Sequence, residues 1–576
     1  MFEKIKRQLT KIIEGLESSV RRFPETVAVA LALVIVGIVM NHLDYDDELM
    51  DRLAKFIIVL IMGVPLMAGV KLLVERMNLS VVKRIGIDVV VVAFLFVYRG
   101  IVPDEIGSEF MIKYFLILTS SLLFFSLVPY VLKRNNYSRY ILKLITAFFI
   151  TILFSIVLYG GLNAIIFTIE QLFEVNIDNT IHFDLFIIIA GLFSVTHFLS
   201  RIPSVDEELE TYYPPVLKGL FIYIIIPLIS IYTVILYAYF IRLILLREFP
   251  INMLGHLVVW YGLISVIILF FVNQIKDENL LVGRFYKWMP IAIAIPLGML
   301  FAAIGSRIAD FGMTPSRYFV VISGIWIALS MAYIYFTKNL RSSLLVIMAI
   351  AVLLISGYGP QSAFNLSLAN QTVRFENLLV DYGMLEAGII TPKSNLEDEK
   401  KQEINEFIRY FENNHEFVKV HVLPEDFDFD QMEDVFGFEY SYYFPREYKN
   451  VNYFMPDFPI AIDIAQYDYY LDMRVEVGMP SEVVDGTIRF EYIDEDQLLF
   501  LYREDMVVAE VNIKEIMQEY HAMRDGIQPS NAEESIIEVT FEGADLTFFI
   551  ENMYYELENE EMSYGSFDFK LFIKWQ

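Results

Sequence analysis

Residues 110–132 read FMIKYFLILTSSLLFFSLVPYVL, an apolar run with a single charge at Lys113. A helix needs roughly 20 apolar residues to cross a hydrocarbon core about 30 Å thick, so Phe110–Leu132 meets the requirement for a membrane span. Similar runs flank it on both sides. Upstream lie Pro24–Met40, Phe56–Val74 and Ile85–Tyr98. Downstream lie Ile141–Leu172, Phe183–Leu199, Val216–Leu246, Met253–Val272, Tyr286–Ile304, Ser316–Phe336 and Ser342–Tyr358, which makes eleven candidate spans. Ile141–Leu172 and Val216–Leu246 exceed the minimum and are expected to tilt or kink, at Gly160-Gly161 and at Pro227. Ile85–Tyr98 is expected to be a short span of about 21 Å at 1.5 Å per residue, with Asp88 one turn inside it. The first run ends at Asn41-His42-Leu43-Asp44 without a small-residue cleavage site, so it reads as a retained span and not a signal peptide.

Charge divides the chain in two. Met1–Tyr358 carries 29 Lys+Arg against 26 Asp+Glu, whereas Gly359–Gln576 carries 15 against 46. The expected organisation follows: a cytoplasmic amphipathic helix over 1–23, an α-helical polytopic membrane domain over 24–358, and an acidic, soluble α+β domain over 359–576. An acidic surface excludes nucleic acid and other polyanions as partners of that domain, because they demand clustered Lys and Arg. The absence of cysteine excludes disulfides, thiolate metal sites and cysteine nucleophiles.

Lys and Arg in the loops set the orientation. If the N-terminus is cytoplasmic, 20 of them fall on its side and eight on the other. That bias, with an odd number of spans, places the C-terminal domain outside a bacterial cytoplasmic membrane. Ahead of the first span, Phe2, Ile5, Leu9, Ile12, Ile13, Leu16 and Val20 recur at helical spacing with Lys4, Arg7 and Lys11 on other faces. The pattern fits a helix lying on anionic lipid; packing on the protein's own cytoplasmic loops is the alternative.

Beyond Gly357-Tyr358-Gly359-Pro360, helices are expected over Val373–Leu385 and Glu397–Asn414, with another around Ile513, Ile516, Met517 and Tyr520. Apolar residues then alternate at period two: Leu471, Met473, Val475 and Val477; Ile488, Phe490 and Tyr492 before a turn at Asp494-Glu495-Asp496; Ile537, Val539 and Phe541; and Phe567, Phe569, Leu571 and Ile573. Such alternation belongs to half-buried strands, and the domain reads as α+β with a mostly antiparallel sheet.

Two stretches, Arg307-Ile308-Ala309-Asp310-Phe311-Gly312-Met313-Thr314-Pro315-Ser316-Arg317-Tyr318 and Tyr358-Gly359-Pro360-Gln361-Ser362-Ala363-Phe364-Asn365-Leu366-Ser367-Leu368 on to Gln371, carry a resemblance to a family. The chain resembles the bacterial inner-membrane proteins grouped as domain-of-unknown-function family 4153, from near Arg22 to about Tyr382, and more loosely at Asp463-Ile464 and Tyr467-Asp468-Tyr469. The resemblance implies a membrane protein and supplies no chemistry.

No phosphate loop, zinc-helix motif or serine elbow is present, so no catalytic residue, metal or cofactor is assigned. Asp426, Asp428 and Asp430 begin like a calcium loop, but Gln431 stands where glycine is needed and Gly437 where the bidentate Glu is needed. Charges within spans default to functional candidates: Asp88, Glu170, Asp184, His197 and Arg242. Arg307 and Arg317 bracket a short outer loop turned by Gly312 and Thr314-Pro315. Their guanidiniums suit an anionic ligand, or a clamp on carboxylates of the acidic domain or on lipid headgroups. The expected function is a non-enzymatic envelope scaffold or sensor that presents the acidic domain to an envelope protein. The alternative is a transporter or lipid-handling protein for an anionic ligand.

A Met1–Arg22 peptide is expected to bind anionic vesicles. Replacing Lys4, Arg7 and Lys11 with Gln should weaken that binding by about 1 kcal/mol per charge. A wild-type peptide indifferent to anionic lipid in a flotation assay would favour the packed helix.

Overall fold

The computed structural model describes all residues except 1, 44–47, 104–105, 131–136, 174–176, 205–212, 247–253, 338, 416, 425, 441–448, 455–465, 477–480, 486–487, 494–497, 505, 525–534, 542 and 559–560. The turn expected at Asp494–Asp496 and the Asp463-Ile464 pair lie outside the described residues. The chain forms two compact units, Met1–Tyr440 and Ser441–Gln576, so residues 359–440 belong to the first.

Among the described residues, all eleven apolar runs are helical. In chain order the helices are α1 (Phe2–Arg22), α2 (Pro24–Asn41), α3 (Glu48–Met77), α4 (Val81–Ile101), α5 (Ser108–Leu127), α6 (Tyr137–Phe173), α7 (Asn179–Ser200), α8 (215–246), α9 (Leu254–Val272), α10 (Leu280–Ala292), α11 (Ala294–Phe311), α12 (Pro315–Phe336) and α13 (Ser342–Gly357). Among the described residues, nine segments are long and apolar enough to cross a membrane, with α10 and α11 counted as one. The other two helices each miss one criterion. The helix α13 has 16 residues, and α4 carries Lys83, Arg84, Asp88 and Arg99. The short span expected at Ile85–Tyr98 is in fact a helix of 21 residues, about 31 Å long. Its charges gather at the ends: Arg84 bonds Glu25 and lies 3.8 Å from Asp88, and Arg99 sits over the Phe56 ring.

Lipid gives helices no hydrophobic reason to associate, so small residues and hydrogen bonds carry the packing. A Cβ on Gly262 would lie 2.6 Å from the Ile327 side chain, and one on Gly191 equally close to Val34. The two expected interruptions resolve differently, and a third lies at Pro296. No break occurs at Gly160-Gly161, because α6 runs through 37 residues unbroken. Beside Pro227, a π-helical turn at Phe221–Ile225 absorbs the lost N–H and the clash that proline brings to the preceding turn. Pro296 deprives the Ala292 carbonyl of its helical donor; the helix parts at Ile293, and the Tyr237 hydroxyl donates to Ala292 O at 2.7 Å. A second π turn, Ile189–Phe193, contains no proline; Ser194 Oγ donates to Ile189 O there at 2.8 Å.

Contacts between helix ends sort into two sets. In the first, Arg22 meets Glu75 and the Ile202 and Pro203 carbonyls, Arg139 meets Gln274, and Lys218 meets Glu278. In the second, Asn41 meets Thr180 and Asp184, Ser108 meets Asn413, and Tyr358 meets Lys113. In α1, Ser19 is buried and Gly15 faces Ser200, while Ile13 and Val20 are 63% and 44% exposed.

After the last of these helices, α14 (Ala363–Asp381), α15 (Asp398–Asn414), the short α16 (Met432–Phe436) and a hairpin of β1 (Leu385–Glu386) and β2 (Ile389–Ile390) enclose Phe375, Ile404, Ile408, Phe411, Met432 and Phe436. The helix expected over Val373–Leu385 thus begins ten residues earlier, where Ser362 caps the Asn365 N–H.

The second unit is α+β and its sheets are antiparallel. The strands β3 (Lys449–Phe454), β10 (Ala544–Glu558), β11 (Glu561–Trp575) and β4 (Tyr469–Glu476) pair in that order, with β9 (Ile536–Thr540) also on β10. A meander of β5 (Ser481–Asp485), β6 (Ile488–Ile493), β7 (Leu498–Arg503) and β8 (Met506–Asn512) leads into α17 (Ile513–Arg524). Ile488, Phe490 and Tyr492 share one core with Phe567, Phe569, Leu571 and Ile573, and with Ile516, Met517 and Tyr520 of α17.

Tyr237→Phe is expected to destabilise the protein in detergent by about 0.6–1.5 kcal/mol. The loss should shrink toward zero in a Pro296→Ala background, where the substituted residue's own N–H serves Ala292 O. Equal losses in both backgrounds by thermal unfolding would contradict this role for Tyr237.

Candidate functional site

The structure does not bring the five charged residues of the spans together. Asp88 neighbours Arg84. Asp184 accepts from Asn41 at 2.9 Å and meets His42 at 2.8 Å. Glu170 accepts the Ile177 N–H at 3.3 Å, just beyond the end of α6. His197, 2% exposed, bonds Thr151 through Nδ1 at 2.8 Å and stacks between Phe154 and Phe193; Arg201 Nε lies 3.4 Å from its Nε2. Arg242 is exposed on α8. Four of the five are thus taken up by near neighbours. No group of three His, Asp or Glu side chains able to hold a metal occurs among the described residues. Asp428 accepts the Gln431 N–H and so begins a turn.

The loop between Arg307 and Arg317 is built more elaborately. Gly312 ends α11 at φ +74° and ψ −179°, a conformation in effect restricted to glycine. Thr314 caps α12 through the Arg317 N–H. Arg317 Nη1 donates to the carbonyls of Phe311 and Gly312 at 3.0 and 2.6 Å. The remaining loop groups are met by α14. Gln371 Nε2 donates to Phe311 O and Met313 O, Asn370 Oδ1 accepts the Met313 N–H, and Arg374 Nη2 donates to Asp310 O at 2.7 Å. Tyr318 extends the seam by donating to Gln361 O. Arg374, Asn370 and Gln371 were not anticipated as site residues, although Ser367, Asn370, Gln371 and Arg374 form a polar stripe at three- and four-residue spacing.

Next to this seam is a cleft of about 620 Å³ lined by Ser108, Glu109, Lys113, Asn413, His415 and Lys419, among others. Glu109 bonds both Lys113 and Lys419. Burial lowers the His415 pKa to about 4; Lys419 and Lys113 act in the same sense and Glu109 opposes them. The imidazole is therefore neutral at ordinary pH. Two other recesses are apolar: one of about 600 Å³ along α4 beside Val89, Val92 and Phe96, and one of about 570 Å³ at the α10–α11 break beside Pro290, Leu297, Phe301 and Met331.

Gly312→Ala places a Cβ 2.6–2.7 Å from Arg374, Asn370 and Gln371, and it strains the backbone as well. The expected cost is about 1–3 kcal/mol, with faster proteolysis at the 310–314 loop. Unchanged thermal unfolding and unchanged cleavage would show that the loop tolerates the side chain.

No curated protein and no solved structure matches the chain. The profile of the family described as "Domain of unknown function (DUF4153)" matches residues 26–387. That stretch takes in the candidate spans apart from the first two residues of α2, with the Arg307–Arg317 loop and the α14 stripe that locks it, and it is more than half of the chain. On that match, the protein belongs to the DUF4153 family.

Proposed function

We propose that the protein is a non-enzymatic scaffold or sensor of the bacterial cell envelope, anchored by eleven crossings with its N-terminus in the cytoplasm. The observation that carries this reading is the local pairing of span charges at Asp88, Glu170, Asp184 and His197. Groups already matched by a neighbour make a rigid mount and leave less to coordinate a passing solute. The two sets of end contacts support eleven crossings, because each set joins only ends that an eleven-span path puts on one face. The count of 20 basic loop residues against eight supports the orientation.

On this reading the second unit is displayed outside. It carries 9 Lys+Arg against 29 Asp+Glu, a balance that favours a basic protein surface as partner and disfavours nucleic acid. At the other end, the exposed Ile13 and Val20 of α1 suit contact with anionic lipid beside the bundle. The transport alternative draws on the break at Ile293 and the π turns, but the recess at that break is apolar.

Single cysteines test the proposal cleanly, because the chain has none of its own. In intact cells Ser394→Cys should react with a membrane-impermeant thiol reagent and Asp277→Cys should not. An impermeant thiol-to-amine crosslinker on Tyr470→Cys, an exposed position of β4, should yield a discrete adduct with another polypeptide. Reversed labelling would overturn the orientation, and labelling without any adduct would overturn the scaffold.

A further inference from the structure

Two arginines from two helices meet at the 310–314 loop: Arg317 from α12 and Arg374 from α14. Both are half-buried. Arg317 uses Nη1 on loop carbonyls and Arg374 uses Nη2, so each keeps guanidinium donors beyond those bonds. Arg374 Nε is buried with no hydrogen-bond partner among the described residues. Arg307 and Arg374 both act on Arg317 as like charges. Neither Arg317 nor Arg374 makes an ion pair with a described residue. The amino end of α12 adds its own positive potential at this point. Gathering like charges at a partly dry place is unfavourable unless an anion joins them, and a guanidinium fork matches the oxygens of phosphate.

We propose that Arg317 and Arg374 form a binding site for a phosphate oxyanion where α11 ends and α12 begins. The loop carbonyls orient the two guanidiniums of Arg317 and Arg374, and Gly312 lets α14 approach closely enough for Arg374 to complete the site. The phosphate can come from a lipid headgroup, since both helices end at the membrane boundary, or from free phosphate. The site stands apart from the scaffold proposal, which concerns topology and partners of the second unit.

The test uses the full chain in a maltoside detergent and reads its thermal unfolding midpoint. Three additions are compared: short-chain phosphatidylglycerol, inorganic phosphate, and the matching diacylglycerol without phosphate. The midpoint should rise with one or both phosphate compounds and not with diacylglycerol, as expected for a ligand that binds only the folded state. A rise with the lipid alone identifies a headgroup, and a rise with inorganic phosphate identifies the free anion. Arg374→Gln should weaken the effect about tenfold, as loss of one charge-assisted bond implies, whereas Lys400→Gln on α15 should leave it unchanged. Should Arg374→Gln not fold, wild-type protein is treated with phenylglyoxal and mapped by mass spectrometry. The effective phosphate compound should protect Arg317 and Arg374 while Arg242 still reacts. A midpoint moved by neither phosphate compound, a shift undiminished in Arg374→Gln, or no protection of the two arginines overturns the site.

Discussion

Hydrocarbon offers no water to a backbone N–H or carbonyl, and the breaks within the apolar helices are shaped by that scarcity. A transmembrane helix satisfies its own ladder, and each departure from the ladder needs a substitute partner close by. The Ala292 carbonyl, orphaned by Pro296, takes the Tyr237 hydroxyl from a neighbouring helix. The π turn at Ile189–Phe193 takes Ser194. The same economy governs side chains. Arg84 pairs with Glu25 near one end of its helix, and His197 sits between two phenylalanine rings with Thr151 on its nitrogen.

The second unit follows another rule. Its strands leave one face polar and bury the other, and its sheets alternate accordingly. Phe567, Phe569, Leu571 and Ile573 point to one core, while Asp568, Lys570 and Lys574 on the same strand are less buried. Hairpin pairing from Ala544–Trp575 to Glu558–Glu561 gives that core its long central ladder.

These two rules explain what the sequence made legible. Long apolar runs and period-two alternation are strong signals, so the eleven helices and the strands β4, β6, β9 and β11 are evident from residues alone. The true extent of α4 is not, because Arg84 and Asp88 look like interruptions until each is given a partner. Neither is α14. Its first half is rich in Asn, Ser and Gln, and no apolar stripe marks it, because its duty is to satisfy the 310–314 loop about sixty residues upstream. That duty also hid half of the candidate site: Arg307 and Arg317 announce themselves by bracketing a tight turn, whereas Arg374 becomes visible only when the chain returns. Gly160-Gly161 misled in the opposite sense, since glycine tolerates a bend without requiring one.

The way α14 closes over the earlier loop also imposes an order on biosynthesis. Carbonyls at 310–313 leave the ribosome before Asn370, Gln371 and Arg374 exist. At about 5–20 residues per second, a gap of roughly 60 residues is a wait of about 3–12 s. During that interval the α11–α12 hairpin is inserted but its turn is unfinished, held only by Gly312, Thr314 and Arg317. The turn therefore reaches its final set of bonds only after α12, α13 and α14 as far as Arg374 have been made.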